Sequence, residues 1–257
     1  MLNNRSASGK DDPWRLRVRM RVDLLVHWTQ SHPVRAIVYV FGIVLMLEYL
    51  SLPNARLQDL EKENPQQTAL MMQRRLEASE NGRPFHAQEV WVPISRISPH
   101  LLHAVIVAED GTFYEHGGVD WYEVEESIEK NIEEGKAARG GSTISQQLAK
   151  NLFLSTSKDP LRKLKELVIT LRMERMLSKR RILEIYLNVI EWGNGVFGAE
   201  AAAKKYFGTS AANLTRDQAA QMAAVIPSPL RHQPNQPSEY VERRTMIILE
   251  RMNARGY

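Results

Sequence analysis

SPHLLHAVIVAEDGTFYEHGG, residues 98–118, is an apolar helical pattern that ends in two adjacent carboxylates. Serine followed by proline is typical of a helix start, because proline fits the first helical position without loss of a hydrogen bond. A helix that buries an apolar face gains no stability from Glu109 and Asp110 at its end, since buried charge is costly. We therefore take Glu109 as the first candidate functional residue.

The composition around this stretch limits the classes of protein. The chain has 257 residues and is 43% apolar, which is enough for one or two domains with a proper core. It carries 34 basic and 30 acidic side chains, a formal net charge of +4. This mild excess suits an anionic partner without identifying one, and we expect no nucleic acid among the partners. Cysteine is absent, which excludes disulfides and thiolate chemistry.

An apolar run near the N-terminus predicts a membrane anchor. Residues 34–52 are largely apolar, and Arg35 and Glu48 lie near the two ends, where long side chains reach the headgroups. The basic stretch RLRVRMR precedes the run, which places the N-terminus in the cytoplasm by the positive-inside rule. We predict a single uncleaved transmembrane helix in a bacterial inner membrane, with the rest of the chain on the periplasmic side. The alternative is a buried helix of a soluble protein.

Downstream of this run the pattern is helical almost throughout, so we expect a single, mainly α domain. The predicted segments are a basic cytoplasmic N-terminus (1–33), the anchor (34–52), a charged connector (53–67) and a mainly helical domain (68–257). A capping box starting at Thr215 predicts another helix start. Glu184 and Tyr186 are predicted to be packing residues.

The second candidate stretch is RGGSTISQQLAKNLFL, residues 139–154. It predicts a helix after a Gly-Gly loop, with Ser142 as the cap. Thr143, Gln147 and Lys150 are spaced so that they lie on one face, beside an apolar face that enters the core. A hydroxyl, an amide and a cation on one stripe suit a sugar that bears a phosphate. The alternative is an ordinary solvated helix face.

The third stretch is SKDPLRKLKE, residues 157–166. Lys158, Arg162 and Lys163 surround the first turns of a predicted helix, where cations oppose the helix dipole. An anionic ligand explains them, because phosphate binds well at a helix N-terminus among basic side chains. Glu166 lies four residues after Arg162, and a simple surface ion pair is the alternative interpretation.

These three stretches together suggest glycosyl transfer with a phosphorylated leaving group. An ordinary glycosidase needs a general acid to protonate the departing sugar oxygen. A diphosphate is already a stable anion, so it needs neutralising cations instead. That assigns Glu109 the role of a base, which deprotonates an attacking sugar hydroxyl.

Six segments resemble, in order and spacing, the motifs of the family 51 glycosyltransferases, the peptidoglycan-polymerising modules of class A penicillin-binding proteins and their monofunctional relatives. The resemblance spans residues 68–234, and we expect the monofunctional form. The segments are EDGTFYEHGG, GGSTISQQLAKNLFL, RKLKE, KRRILEIYLN, WGNGVFGAEAAAKKYFG and AAQMAAVIPSP.

The resemblance implies a lysozyme-like α-helical domain that joins lipid II to a growing glycan chain, with inversion and release of undecaprenyl diphosphate. It implies that Glu109 is the catalytic base, which activates the acceptor's 4-hydroxyl, and that Glu166 is the second essential carboxylate. The positions that it assigns to substrate binding are Asp110, Phe113, His116, Thr143, Gln147, Lys150, Lys158, Arg162 and Lys163.

The implied partners are lipid II, the lipid-linked glycan chain, the membrane and other proteins of wall synthesis or division. No His/Cys cluster predicts a tight metal site, so we expect no tightly bound cofactor. A loosely held Mg²⁺ or Mn²⁺ at the diphosphate is compatible with the family.

Two other functions are compatible with parts of this pattern. A lysozyme-like or lytic peptidoglycan-cleaving enzyme shares the lone glutamate, but a neutral glycan has no diphosphate for the cations of residues 158–163. A non-catalytic binder of lipid-linked glycans has no need for both Glu109 and Glu166.

Overall fold

The computed structural model describes residues 13–50, 52–134, 141–154 and 160–257. The chain divides into two compact units, Met1–Leu52 and Pro53–Tyr257. The described part of the first unit consists of two helices, α1 (Pro13–Ser31) and α2 (Pro33–Leu50). The break falls at His32 because a residue before proline is disfavoured in the helical conformation.

Helix α2 contains most of the apolar run for which we predicted a membrane anchor. Over the described ranges, none of the helices has both the length and the apolar character needed to cross a membrane. The predicted transmembrane helix at 34–52 is therefore not confirmed.

The second unit is mainly helical, as predicted. The described helices are α3 (Asn54–Asp59), α4 (Ala69–Glu80), α5 (Pro99–Glu109), α6 (Trp121–Glu134), α7 (Ile144–Phe153), α8 (Pro160–Met176), α9 (Lys179–Val189), α10 (Ala199–Phe207), α11 (Arg216–Val225) and α12 (Glu239–Ala254). Short 3₁₀ turns occur at Ile94–Arg96 and Ala211–Asn213. The predicted domain boundaries within the chain stay predictions.

Two groups of helices build the core of this unit. Helix α5 packs against α11 and α12, while α7 packs against α4, α8 and α9. Leu101 and Val105 of α5 and Ile144 and Leu148 of α7 have no exposed surface. The ends of α5 and α7 that bear the candidate residues are thus held by well-packed helices.

A small sheet completes the unit, with the strands β1 (Gln88–Glu89), β2 (Glu191–Gly193) and β3 (Val196–Phe197) in the order β1-β3-β2. Strand β3 pairs antiparallel with β2 and parallel with β1. Gly198 follows β3 with a φ of 82°, and a Cβ there would lie 2.7 Å from the Asn188 carbonyl oxygen. Only glycine fits this approach, which leads directly into α10.

The helix starts confirm one predicted cap and correct two others. Thr215 and Gln218 form the predicted capping box of α11. Pro99 takes the first position of α5 as expected, but the Ser98 hydroxyl donates to the Leu214 carbonyl instead of capping. The prediction that Ser142 caps α7 is wrong: Thr143 is the cap, because its hydroxyl and the Gln146 amide form a reciprocal capping box.

Candidate functional site

An open groove of about 1050 Å³ lies between the end of α5, the start of α7 and α12. Its walls combine carboxylate, amide, cationic and proline-rich surfaces. The lining residues are Arg74, Ala108, Glu109, Gly141, Ser142, Gln147, Lys163, Pro227, Ser228, Pro229, Leu230, Arg231, Tyr240 and Arg244. The groove therefore contains three predicted site residues, Glu109, Gln147 and Lys163.

Glu109 is the last residue of α5 and lies in the wall of this groove with only 9% of its side chain exposed. Its Oε2 accepts a hydrogen bond of 2.9 Å from the Gln147 side-chain amide. The Arg244 guanidinium lies 3.8 Å from Oε1, at the outer limit of an ion pair. Glu109 is thus held by one neutral donor and one distant cation.

Burial raises the pKa of Glu109 above its ordinary value, because the charged form loses solvation. The Gln147 hydrogen bond and the charges of Arg244 and Lys150 oppose this pKa shift, while Asp110 adds to it. A carboxylate whose pKa is raised is a stronger base than an exposed one, and this is the property that proton abstraction needs.

Asp110 ties the end of α5 to the start of α7. Its Oδ2 accepts from the Ile144 backbone N–H at 3.0 Å, and its Oδ1 lies 2.9 Å from His116 Nε2. Since the Gly118 N–H donates to His116 Nδ1, the imidazole proton is on Nε2 and is donated to Asp110. Burial raises the pKa of Asp110, and these hydrogen bonds oppose the rise. Asp110 and His116 therefore stabilise the end of α5, the loop that follows it and the start of α7.

Phe113 and Thr143, which the resemblance assigns to substrate contact, lie in the protein interior. Phe113 has no exposed surface, and the Lys179 ammonium lies 4.5 Å from its ring centroid. The Thr143 hydroxyl donates to the Gly118 carbonyl at 2.6 Å while capping α7. In this structure both side chains hold the loop after α5 against the rest of the domain.

Glu166 lies on α8 with 3% of its side chain exposed, and two cations neutralise it. Arg162 Nη1 is 2.6 Å from Oε2, and Lys163 Nζ is 2.5 Å from Oε1. Lys163 also donates to the Ser142 hydroxyl at 3.3 Å, which links α8 to the groove. The predicted Arg162–Glu166 pair is confirmed, but Glu166 is too buried to be an ordinary surface partner.

Lys150 connects the two carboxylates electrostatically. Burial lowers its pKa, while attraction to Glu166, and more weakly to Glu109, opposes that shift. Lys158, the remaining predicted diphosphate contact, lies outside the described residues. Within the described ranges, we find no group of three or more His, Cys, Asp or Glu side chains that could hold a metal ion.

Two arginines of α12, and a third directly after its end, were not predicted to be near the site. Arg244 approaches Glu109, Arg251 donates to the Val107 carbonyl at 3.2 Å, and Arg255 donates to the Gly111 carbonyl. Their spacing of seven and four residues places them on one helix face, which is a signal that the sequence contains. The sequence does not show what these arginines contact, because that depends on how α12 packs against α5.

Tyr186 is fully buried, as predicted, but its hydroxyl donates to Gln147 Oε1 at 2.9 Å. A packing residue of α9 therefore reaches the amide that contacts Glu109. Sequence periodicity alone assigns Tyr186 to the core and says nothing about this hydroxyl.

A sequence model of the transglycosylase family matches residues 77–253. The chain is 51% identical over 189 residues to the biosynthetic peptidoglycan transglycosylase of Nitrosospira multiformis, covering 74% of this chain and 82% of the relative. It is 50% identical over 191 residues to the protein of the same name from Dechloromonas aromatica, and 53% over 192 residues to that from Methylobacillus flagellatus. Both alignments cover 74% of this chain and 83% of the relative.

Proposed function

This chain belongs to the transglycosylase family and is a peptidoglycan transglycosylase, and we propose that it polymerises lipid II with Glu109 as the general base. In the proposed reaction, the 4-hydroxyl of the acceptor sugar attacks the anomeric carbon of the lipid-linked donor. The new C–O bond forms as the bond to the diphosphate breaks, with inversion at the anomeric carbon. Glu109 takes the hydroxyl proton, and undecaprenyl diphosphate leaves as an anion.

The observation that carries this proposal is the environment of Glu109. A base must lie in a cleft that substrate can enter, must be ionised at working pH, and must keep its affinity for a proton. Glu109 lines the groove, and burial raises its pKa. Glu166 has a cation on each oxygen and is not among the residues that line the groove.

The cations around Glu166 supply the proposed leaving-group site. Arg162, Lys163 and Lys150 lie around one carboxylate, so the cluster is net positive. Lys163 also lines the groove that contains Glu109. Arg162 and Lys163 would neutralise the donor diphosphate, while Glu166 holds the two side chains in place between turnovers. Lys158 extends this cluster in our proposal.

A divalent cation does not fit the protein side chains of this site. Both oxygens of Glu166 already accept from cations, and the described residues offer no set of metal ligands. We therefore place any Mg²⁺ or Mn²⁺ on the substrate diphosphate, and no step of the reaction depends on it.

We also propose that the enzyme acts at the periplasmic face of the inner membrane, beside other proteins of wall synthesis or division. The lipid tails of the proposed substrates require a membrane surface. The apolar side chains of α2, such as Ile37 and Val38, are well exposed within the described residues and would suit an apolar environment.

Labelled lipid II in detergent tests the proposal, with the full chain and its Glu109→Gln variant compared and the products resolved by size. We expect glycan strands from the unaltered protein and a rate lower by about 10²–10⁴-fold for the variant, the contribution typical of a general base. Binding of the donor should persist, because the diphosphate cations are intact. Polymerisation at an unchanged rate by the variant would overturn the assignment of the base.

A further inference from the structure

The side-chain amide of Gln147 lies at the centre of a partly buried chain of hydrogen bonds. Its Nε2 donates to Glu109 Oε2 at 2.9 Å and to the Ser142 carbonyl at 3.3 Å. Its Oε1 accepts from the Tyr186 hydroxyl at 2.9 Å. Each polar atom of this amide is therefore matched to a partner of the right kind.

The partners also determine which way the amide points. A flipped Gln147 would place Oε1 against the Glu109 carboxylate and the Ser142 carbonyl, which are both acceptors. It would also turn the NH₂ group toward the Tyr186 hydroxyl, which then could no longer donate to it. Tyr186 is the only one of the three partners that donates, so its proton favours the orientation in which the amide donates to Glu109.

The position of Tyr186 makes it a stable anchor for this chain. The side chain has no exposed surface and lies on α9, which packs against α7. Burial and the neighbouring charges of Glu109 and Asp110 raise the pKa of Tyr186 well above its ordinary value, so the hydroxyl keeps its proton. A tyrosine that stays protonated is a permanent donor to Gln147.

We propose that Tyr186 is a positioning residue for the catalytic base, which it controls by fixing the amide of Gln147. This inference rests on the proposed function, because it takes Glu109 as the base. Tyr186 does not line the groove and need not contact substrate. It acts on Glu109 through Gln147 alone.

Other charges also face Glu109, and the test must separate Tyr186 from them. Arg244 of α12 and Lys150 of α7 lower the pKa of Glu109, and Asp110 raises it. Lys163, Arg74 and Arg231 line the same groove. None of these residues donates a hydrogen bond to Gln147 among the described contacts, so a change at Tyr186 leaves their charges in place.

The test is the pH dependence of kcat/KM for lipid II polymerisation by Tyr186→Phe. Without the Tyr186 hydroxyl, Oε1 of Gln147 loses its partner and the amide can rotate away from Glu109. The hydrogen bond to the carboxylate then weakens, and the pKa of the base rises. We expect the acid limb of the profile to move to higher pH by up to about one unit, which is up to about tenfold in rate on that limb. At high pH, where Glu109 is ionised in both proteins, the rates should converge.

Tyr206→Phe is the matched control. Tyr206 is also buried, and its hydroxyl donates to the Trp192 carbonyl at 3.2 Å, away from Gln147. This variant loses the same chemical group from the same domain, and we expect its acid limb to coincide with that of the unaltered protein. An equal shift in both variants would mean that loss of any buried hydroxyl perturbs the enzyme, and would overturn the proposal.

The double variant with Gln147→Ala shows whether Tyr186 acts through Gln147. In that background, Tyr186→Phe should change kcat/KM by less than about twofold, because the Gln147 amide through which Tyr186 acts is already absent. A full independent effect in that background would contradict the proposal. Glu109→Gln in the same assay distinguishes failure of this proposal from failure of the proposed function. If Glu109→Gln is inactive and Tyr186→Phe shows no shift of the acid limb, only the role of Tyr186 is refuted. If Glu109→Gln is active, the assignment of Glu109 as the base is refuted.

Discussion

Two buried glutamates, Glu109 and Glu166, lie in the same domain in opposite environments. The side chain of Glu109 is 9% exposed and that of Glu166 is 3% exposed, so burial alone does not distinguish them. Glu166 has a cation within 2.6 Å of each oxygen. Glu109 accepts from a neutral amide, and its cation is 3.8 Å away.

The difference shows how one residue type can perform two tasks. Glu166 forms close ion pairs with Arg162 and Lys163, and these pairs hold the two cationic side chains in place. Glu109 has no cation so close, and burial raises its pKa above the ordinary value of a glutamate. In the proposed mechanism, Glu166 organises the anion site and Glu109 is available to accept a proton.

The largest effect on stability should come from removing the compensated charge. Glu166→Gln leaves Arg162 and Lys163 close together without a counterion. We expect the free energy of unfolding to fall by roughly 1–3 kcal/mol, less than for a fully buried pair because Lys163 is half exposed. Denaturant unfolding of this variant beside Glu200→Gln, whose partner Lys204 is at the surface, measures it. Equal losses in the two variants would show that the ion pairs of Glu166 contribute no more to stability than the pair of Glu200 with Lys204.

A second prediction concerns the cation that Glu166 holds. Arg162→Ala removes a charged donor from the proposed diphosphate site, and donor affinity should fall about tenfold, the effect of losing one charge-assisted hydrogen bond. Binding of lipid II to the Glu109→Gln background measures affinity without turnover. Lys204→Ala, which breaks an i,i+4 pair of the same spacing on α10, is the control and should bind normally. Unchanged affinity and rate in Arg162→Ala would contradict the assignment of Arg162 to the donor diphosphate.

The smallest expected effect has the opposite sign. The pKa of Glu109 is raised in the folded state, so Glu109 contributes stability below its unfolded pKa, and that contribution is lost as pH rises through the folded pKa. Above both pKa values the ionised side chain destabilises the fold. Glu109→Gln should therefore raise the free energy of unfolding at roughly pH 8, by about 1 kcal/mol. Unfolding curves at that pH and near roughly pH 4, where the gain should vanish, test the sign. A loss of stability at the higher pH would show that the charge of Glu109 is compensated after all.

Much of the site was predictable because it depends on local spacing. Arg162 and Glu166 are four residues apart on one helix, so their pairing follows from helical geometry. The capping box at Thr215 is equally local. Gln147 was predicted to face the site from its position on α7, and the structure places it beside Glu109.

Other features depended on contacts between distant segments, which the sequence does not show. Phe113 and Thr143 lie in the interior, where they hold the loop after α5, and their contact with substrate stays a prediction. Ser142 was taken as the cap of α7, although its neighbour performs that task. A motif marks a segment as important without showing which side chains face the groove and which support it.

The sequence by itself determined that the domain is mainly α, that Glu109 ends an apolar helix, and that a basic cluster surrounds Glu166, because helix periods and caps are local properties of the chain. Only the tertiary structure decided what surrounds Glu109 and how deeply each carboxylate is buried. The solvation of Glu109 and Glu166 depends on α7, α8, α9 and α12, which are brought together across long stretches of chain. The chemical character of Glu109 is therefore a property of packing, since the pKa of a buried group follows from the charges and dipoles around it.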